Sequence, residues 1–115
     1  MIKIAIIGSK LFKNTELIEK YVKSLNGKKY QILTGIAIGV NYTVRMAAKK
    51  YKIPITVYRP DFEHFGTQAI VLINNRILAE SEIITFFYNG TSMITGNLIK
   101  EAKELKKEIE LIVSE

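Results

Sequence analysis

The chain has 115 residues, 48% of them hydrophobic and 24% charged, with a net charge of +6, one histidine and no cysteine. That length predicts a single domain over residues 1–115, large enough for one real core. The composition excludes a disulfide framework, thiolate chemistry and a conventional zinc site, and no apolar run is long enough to span a bilayer.

The first predicted element is a strand through Ile4-Ala5-Ile6-Ile7, broken at Gly8-Ser9-Lys10. A helix begins near Asn14, carries Leu17, Ile18, Tyr21, Val22 and Leu25 on one face, and stops at Asn26-Gly27. A second strand, Gln31-Ile32-Leu33-Thr34, runs into Gly35 and Gly39, and Val40, Val44, Ala47 and Tyr51 follow at helical spacing. Ile53 to Tyr58 reads as a third strand, closed by Pro60-Asp61. A helix from Gln68 to Leu78, a strand from Ile83 to Tyr88, a helix around Leu98, Ala102 and Leu105, and a strand from Ile109 to Val113 complete the chain. Strands alternating with helices imply parallel pairing with right-handed crossovers. The expected fold is α/β, a Rossmann-like three-layer sandwich with a five-stranded parallel sheet ordered 3-2-1-4-5.

Three of these strands break at glycine and restart as helices, at Gly8-Ser9-Lys10, at Gly35 to Gly39, and at Asn89-Gly90-Thr91-Ser92. Such turns leave backbone N–H groups unpaired at the positive end of a helix dipole, a setting that suits phosphate. On one parallel sheet they open at the same edge, where open α/β folds bind ligands. Ser9, Thr91 and Ser92 offer hydroxyls that either cap a helix or donate to phosphate oxygens, and Lys10 offers an ammonium. Asn41, Asn74, Asn75 and Asn89 fall near the same side, and an amide presents donor and acceptor together, as an adenine edge requires. Asp61 and Glu63 are the carboxylates expected at the mouth.

The positive charge invites a nucleic-acid reading, but 14 of the 17 basic residues are lysines, clustered as Lys28-Lys29, Lys49-Lys50-Lys52 and Lys100/Lys103/Lys106/Lys107 on outer faces or ends of predicted helices, and only three are arginines. A solvated lysine surface is the expectation, with nucleic acid an unlikely partner.

In order along nearly the whole chain, these motifs resemble the YspA-like branch of the SLOG superfamily, relatives of the LOG phosphoribohydrolases and the DprA Rossmann core. Gly8-Ser9-Lys10 with Phe12 matches its first glycine turn, with Lys for Arg, and Gly35-Ile36-Ala37-Ile38-Gly39-Val40-Asn41 matches its second. Arg59-Pro60-Asp61-Phe62 with Gly66, the pair Asn74-Asn75, and Asn89-Gly90-Thr91-Ser92 with Thr95 follow in register. Ile38, Asn41 and Asn74 replace charged family residues, and Leu98 stands where the phosphoribohydrolases carry their catalytic Glu. The resemblance therefore implies a nucleotide or ADP-ribose-type ligand without turnover.

The expected function is non-catalytic binding of a phosphorylated small molecule at Gly8, Ser9, Lys10, Gly35, Gly39, Asn41, Asp61, Asn74, Asn75, Asn89, Gly90, Thr91 and Ser92, with no metal and no cofactor. The role is a sensor or a sequestering protein, as with small phage proteins that capture an immune signalling nucleotide. The alternatives are a nucleotide hydrolase using Asp61 or Glu63, and a DprA-like module for single-stranded nucleic acid. Absence of a signal peptide points to the cytoplasm. The helix from Gln68 to Leu78 is apolar on more than one face, which predicts a homo-oligomer interface.

Overall fold

The computed structural model describes residues 1–9, 12–26, 29–35 and 40–114. Lys10 and Gly39 lie outside the described residues. Five strands form one parallel sheet: β1 (Ile2–Gly8), β2 (Tyr30–Gly35), β3 (Ile55–Tyr58), β4 (Ile83–Tyr88) and β5 (Glu108–Val113), in the order β3-β2-β1-β4-β5. The expected Rossmann-like sandwich and strand order are what the structure shows.

Period-two alternation sends each strand's side chains to two separate cores. Ile4, Ile6, Ile32 and Phe87 join a cluster with α1 (Thr15–Ser24) and α2 (Val40–Lys50). Ala5, Ile7, Leu33, Ile84 and Phe86 join another with α4 (Ala69–Glu80) and α5 (Met93–Glu104). Phe86 and Phe87 are neighbours on β4, both fully buried, and face opposite ways. Phe87 meets Phe12 and Tyr21 edge-on, with ring centroids 5.4 and 5.6 Å apart. The Tyr21 hydroxyl lies 2.8 Å from Thr85 Oγ1 and 3.3 Å from Glu110 Oε2, and burial pushes its pKa up to about 12.

Helix starts follow cap chemistry. Asn14 Oδ1 accepts from Leu17 N–H at 3.1 Å at the start of α1, and Ser92 Oγ accepts from Thr95 N–H at 3.3 Å at the start of α5. A four-residue helix not expected from the sequence, α3 (Phe62–Phe65), precedes a 3-10 turn at Gly66–Gln68. Asp61 creates it: its carboxylate accepts from His64 N–H at 3.1 Å and lies 2.7 Å from His64 Nδ1. The helix ends at Gly66, whose φ of +54° favours glycine. The edge strand β3 is short and flanked by Pro54 and Pro60. Among the described residues, no helix is long and apolar enough to cross a membrane.

Candidate functional site

With strand order β3-β2-β1-β4-β5, chain direction across the sheet reverses between β1 and β4, so the crevice at their carboxyl ends is the expected ligand position. Four polar side chains converge there. Ser9 is 1% exposed, and its Oγ accepts from Asn89 N–H at 3.2 Å while donating to Thr95 Oγ1 at 3.3 Å. Ser92 Oγ donates to the same Thr95 oxygen at 3.2 Å. Asn89 Oδ1 accepts from Thr91 N–H at 3.0 Å and Ser92 N–H at 2.9 Å, which closes the turn on itself.

This network changes the chemistry of the turn. Ser92 is the cap of α5, and two of the N–H groups expected to face a phosphate are held by Asn89. Gly90, with φ of +88° and open space where a Cβ would stand, is required by the backbone conformation. Gly8 has a different reason to be glycine. A Cβ there would fall 2.3 Å from Val40 Cγ2 and 2.5 Å from Val40 Cβ, so the residue lets α2 pack onto β1. A side chain at Gly8 therefore harms the fold first, the reverse of what the phosphate-cradle reading of that turn expects.

One strand away, Gly35 and Asn41 meet. Asn41 stands in the first turn of α2, its Nδ2 is 3.2 Å from where a Gly35 Cβ would be, and its Oδ1 is buried with no hydrogen-bond partner among the described residues. Arg45 Nη1 donates to the Gly35 carbonyl at 2.8 Å, fixing the end of β2. An acceptor held out of water and unpaired costs about 1–3 kcal/mol, a cost that a ligand hydroxyl or N–H would remove.

The remaining expected site residues disperse. Asp61 is exposed and committed to the α3 cap and His64. Asn74 and Asn75 line a separate cavity of about 300 Å³ between α4 and α5, together with Val71, Ile94 and Asn97. Its walls include the first turns of both helices, so it opens beside the carboxyl edge without merging with the Ser9–Asn89 network. Thr95, 2% exposed and at the centre of that network, was the residue that motif reading undervalued: its place three residues after Ser92 is the sequence signal. Among the described residues there is no group of three or more His, Cys, Asp or Glu that could hold a metal ion.

A larger cavity, about 410 Å³, lies along α4 on the sheet face of β1, β2 and β3, and nothing in the sequence motifs pointed to it. No family model, curated protein or solved structure matches the chain, so the site is read from its own geometry.

Proposed function

We propose that the protein is a SLOG-like, non-catalytic binder of a nucleotide or ADP-ribose-type molecule at the β1/β4 carboxyl edge, acting in the cytoplasm as a sensor or a sequestering protein. The observation that carries this reading is the unpartnered, buried Asn41 Oδ1 beside the crevice, because it asks for a donor such as a ribose hydroxyl rather than for phosphate alone. Gly90 and the hydroxyls around Thr95 supply a polar, open turn on the facing strand. Of the two carboxylates a hydrolase could use, Asp61 is occupied by its cap and by His64, and Glu63 is exposed on α3 away from the Ser9–Asn89 network, which favours binding over turnover.

Thermal melting with ADP-ribose, AMP and a cyclic nucleotide tests the reading. A ligand at about 100 times its Kd stabilises the fold by roughly 2.7 kcal/mol, a shift of roughly 10 °C for a domain near this size. Asn41→Leu should leave the unliganded Tm unchanged or raised, because it removes a buried unpaired acceptor, yet abolish the ligand shift. No shift with any of the three, or a full shift in Asn41→Leu, refutes the proposal. Gly90 is a poorer probe, since its φ of +88° strains any side chain, ligand or no ligand.

The exposed apolar side chains around α3, α4 and α5 support a second copy of this chain as partner. Phe62, Phe65, Ile70, Val71, Leu72, Met93 and Ile94 each keep between 44% and 79% of their surface exposed. At roughly 100 Å² each, they approach the ~800 Å² per partner of a standard interface. They lie within residues 53–99, a stretch with no lysine, two arginines and four acidic residues in a chain of net charge +6. Two copies can meet there without opposing their lysine-rich surfaces. Light scattering at micromolar concentration should report a dimer, and Val71→Lys/Ile94→Lys should return it to monomer. A monomeric wild type removes this part of the proposal.

A further inference from the structure

The cavity along α4 is polar where a parallel sheet is ordinarily apolar. On the α1/α2 face, β1, β2 and β3 present Ile4, Ile32 and Ile55. On the α4 face, one residue earlier or later, the same strands present Lys3, Gln31 and Thr56. Lys3 pairs with Gln31 in the strand register, and Gln31 Nε2 donates to Thr56 Oγ1 at 2.6 Å, so the three make a polar row across three strands. Sheets covered by helices on both faces have near-continuous apolar strands, so a row of this kind marks a face left open.

The wall of the cavity is fixed and its charge already balanced. Arg76 Nε donates to Glu80 Oε2 at 2.6 Å, the Tyr58 hydroxyl donates to Glu80 Oε1 at 2.9 Å, and the Arg76 guanidinium stands 5.2 Å over the Tyr58 ring. Arg76 and then the Tyr58 hydroxyl hold the Glu80 carboxyl below its ordinary pKa. Two further cations, Lys3 and Arg59, line the cavity; neither side chain has a hydrogen bond or ion pair among the described residues, and Lys3 adds to the field that lowers the Glu80 pKa. They belong to opposite ends of the groove. Lys3 is on β1 and Arg59 just past β3, two strands and about five residues apart in register, roughly 10 Å across the strands and about 16 Å along them. An extended chain of negative groups fits that separation better than a single phosphate does.

We propose that this cavity is a second binding site, separate from the carboxyl edge, for an oligophosphate chain. Lys3 and Arg59 take its two ends, and the Gln31–Thr56 pair lies under its middle. Its volume of about 410 Å³ is within the range of small-molecule pockets. The chemistry is shared by free inorganic oligophosphate and by the triphosphate of a nucleotide.

Calorimetric titration of the full chain with inorganic tripolyphosphate, at ionic strength fixed with sodium chloride, tests it. One site per chain is expected. Lys3→Gln and Arg59→Gln, both at exposed positions, should each weaken it about tenfold or more while still melting cooperatively. Lys3→Arg should retain binding, which separates charge from any structural role of the side chain. Lys100→Gln/Lys103→Gln, on α5 and outside the cavity, should bind as wild type does. Equal loss in that control, several sites per chain, or no binding above the salt background overturns the proposal. Titration with ATP then assigns the source: tighter binding than tripolyphosphate, lost in Arg59→Gln, identifies a nucleotide, and equal or weaker binding identifies the inorganic chain. Asn41→Leu should leave tripolyphosphate binding unchanged. If it abolishes that binding instead, the oligophosphate belongs to the carboxyl edge and this cavity is not a site, whereas failure of the carboxyl-edge ligand alone leaves the cavity result standing.

Discussion

On the α1/α2 side of the sheet, helices and strands close over a single apolar cluster that includes an aromatic trio, and the surface outside it carries lysines such as Lys20, Lys23, Lys49 and Lys50. On the α4/α5 side the core is equally well buried beneath the helices, but α4 and α5 leave two cavities beside them and expose Ile70, Val71, Met93 and Ile94. The same five strands support both faces, so the difference comes from the helices and from which alternate strand positions are polar. The α1/α2 side keeps one smaller cavity, about 190 Å³ beside Glu19, Thr43 and Met46, and the α4/α5 side keeps the two larger ones.

The largest test of that contrast uses adjacent residues. Phe87→Ala and Phe86→Ala should each cost about 3–5 kcal/mol, since each empties a fully buried aromatic site. Phe87→Ala should cost more, by about 0.5–1.5 kcal/mol per edge-on partner lost, and chemical denaturation measures the gap. Equal losses would show that the aromatic trio adds nothing beyond buried area.

Alkaline pH probes the same closed face. Tyr21 keeps its proton in the folded state up to about pH 12, against an ordinary value of 10.0. Below pH 10 its contribution is fully present; between about 10 and 12 the unfolded chain has lost a proton that the folded one retains, so stability falls as pH rises. Tyr21 is only partly buried, so water screens the effect to a loss of roughly 1 kcal/mol, which Tyr21→Phe should remove from the alkaline limb of the stability profile. An unchanged alkaline limb in that variant would mean that the Tyr21 hydroxyl is already open to water.

Two glycines complete the comparison with opposite signs. Gly8→Ala, driven into Val40 at 2.3 Å, should destabilise by about 1–3 kcal/mol, and Val40→Ala in the same chain should recover part of it. Gly96→Ala, on α5, meets the Tyr88 hydroxyl at an ordinary 3.5 Å and should stabilise by up to about 1 kcal/mol through helix propensity. If both substitutions destabilise alike, the room at Gly96 implied by its 3.5 Å distance to the Tyr88 hydroxyl is not there.

Much of the fold was legible because its strongest signals are local. Apolar runs such as Ile4 to Ile7 and Ile83 to Phe87, buried on both faces, can only be inner strands of a helix-covered sheet, and right-handed crossovers order the rest. Helix α3 was not legible, because its four residues are all exposed and one Phe62/Phe65 pair is too short a run to establish a helical period; the Asp61 cap holds it. The candidate site was only partly legible. Glycine after a strand reads the same whether a ligand or a helix needs the space, and for Gly8 the deciding atom belongs to Val40, 32 residues away. Lys3, Gln31 and Thr56 each look like an ordinary polar residue in a strand. They come together only when the strands are laid side by side, Lys3 opposite Gln31 and Thr56 diagonally across from it, beside Leu33.

The unequal edges of the sheet limit what it can join. On β3, four residues long and flanked by Pro54 and Pro60, a further strand finds little unbroken backbone to pair with. The other edge, β5, offers six residues without proline or glycine. A sheet open on one side can pair with the β5 of one other copy and then has no free edge to offer a third. Backbone pairing between copies of this protein therefore terminates in a closed pair, and the geometry that fibrils require, an open edge on both sides of every subunit, is denied by Pro54 and Pro60.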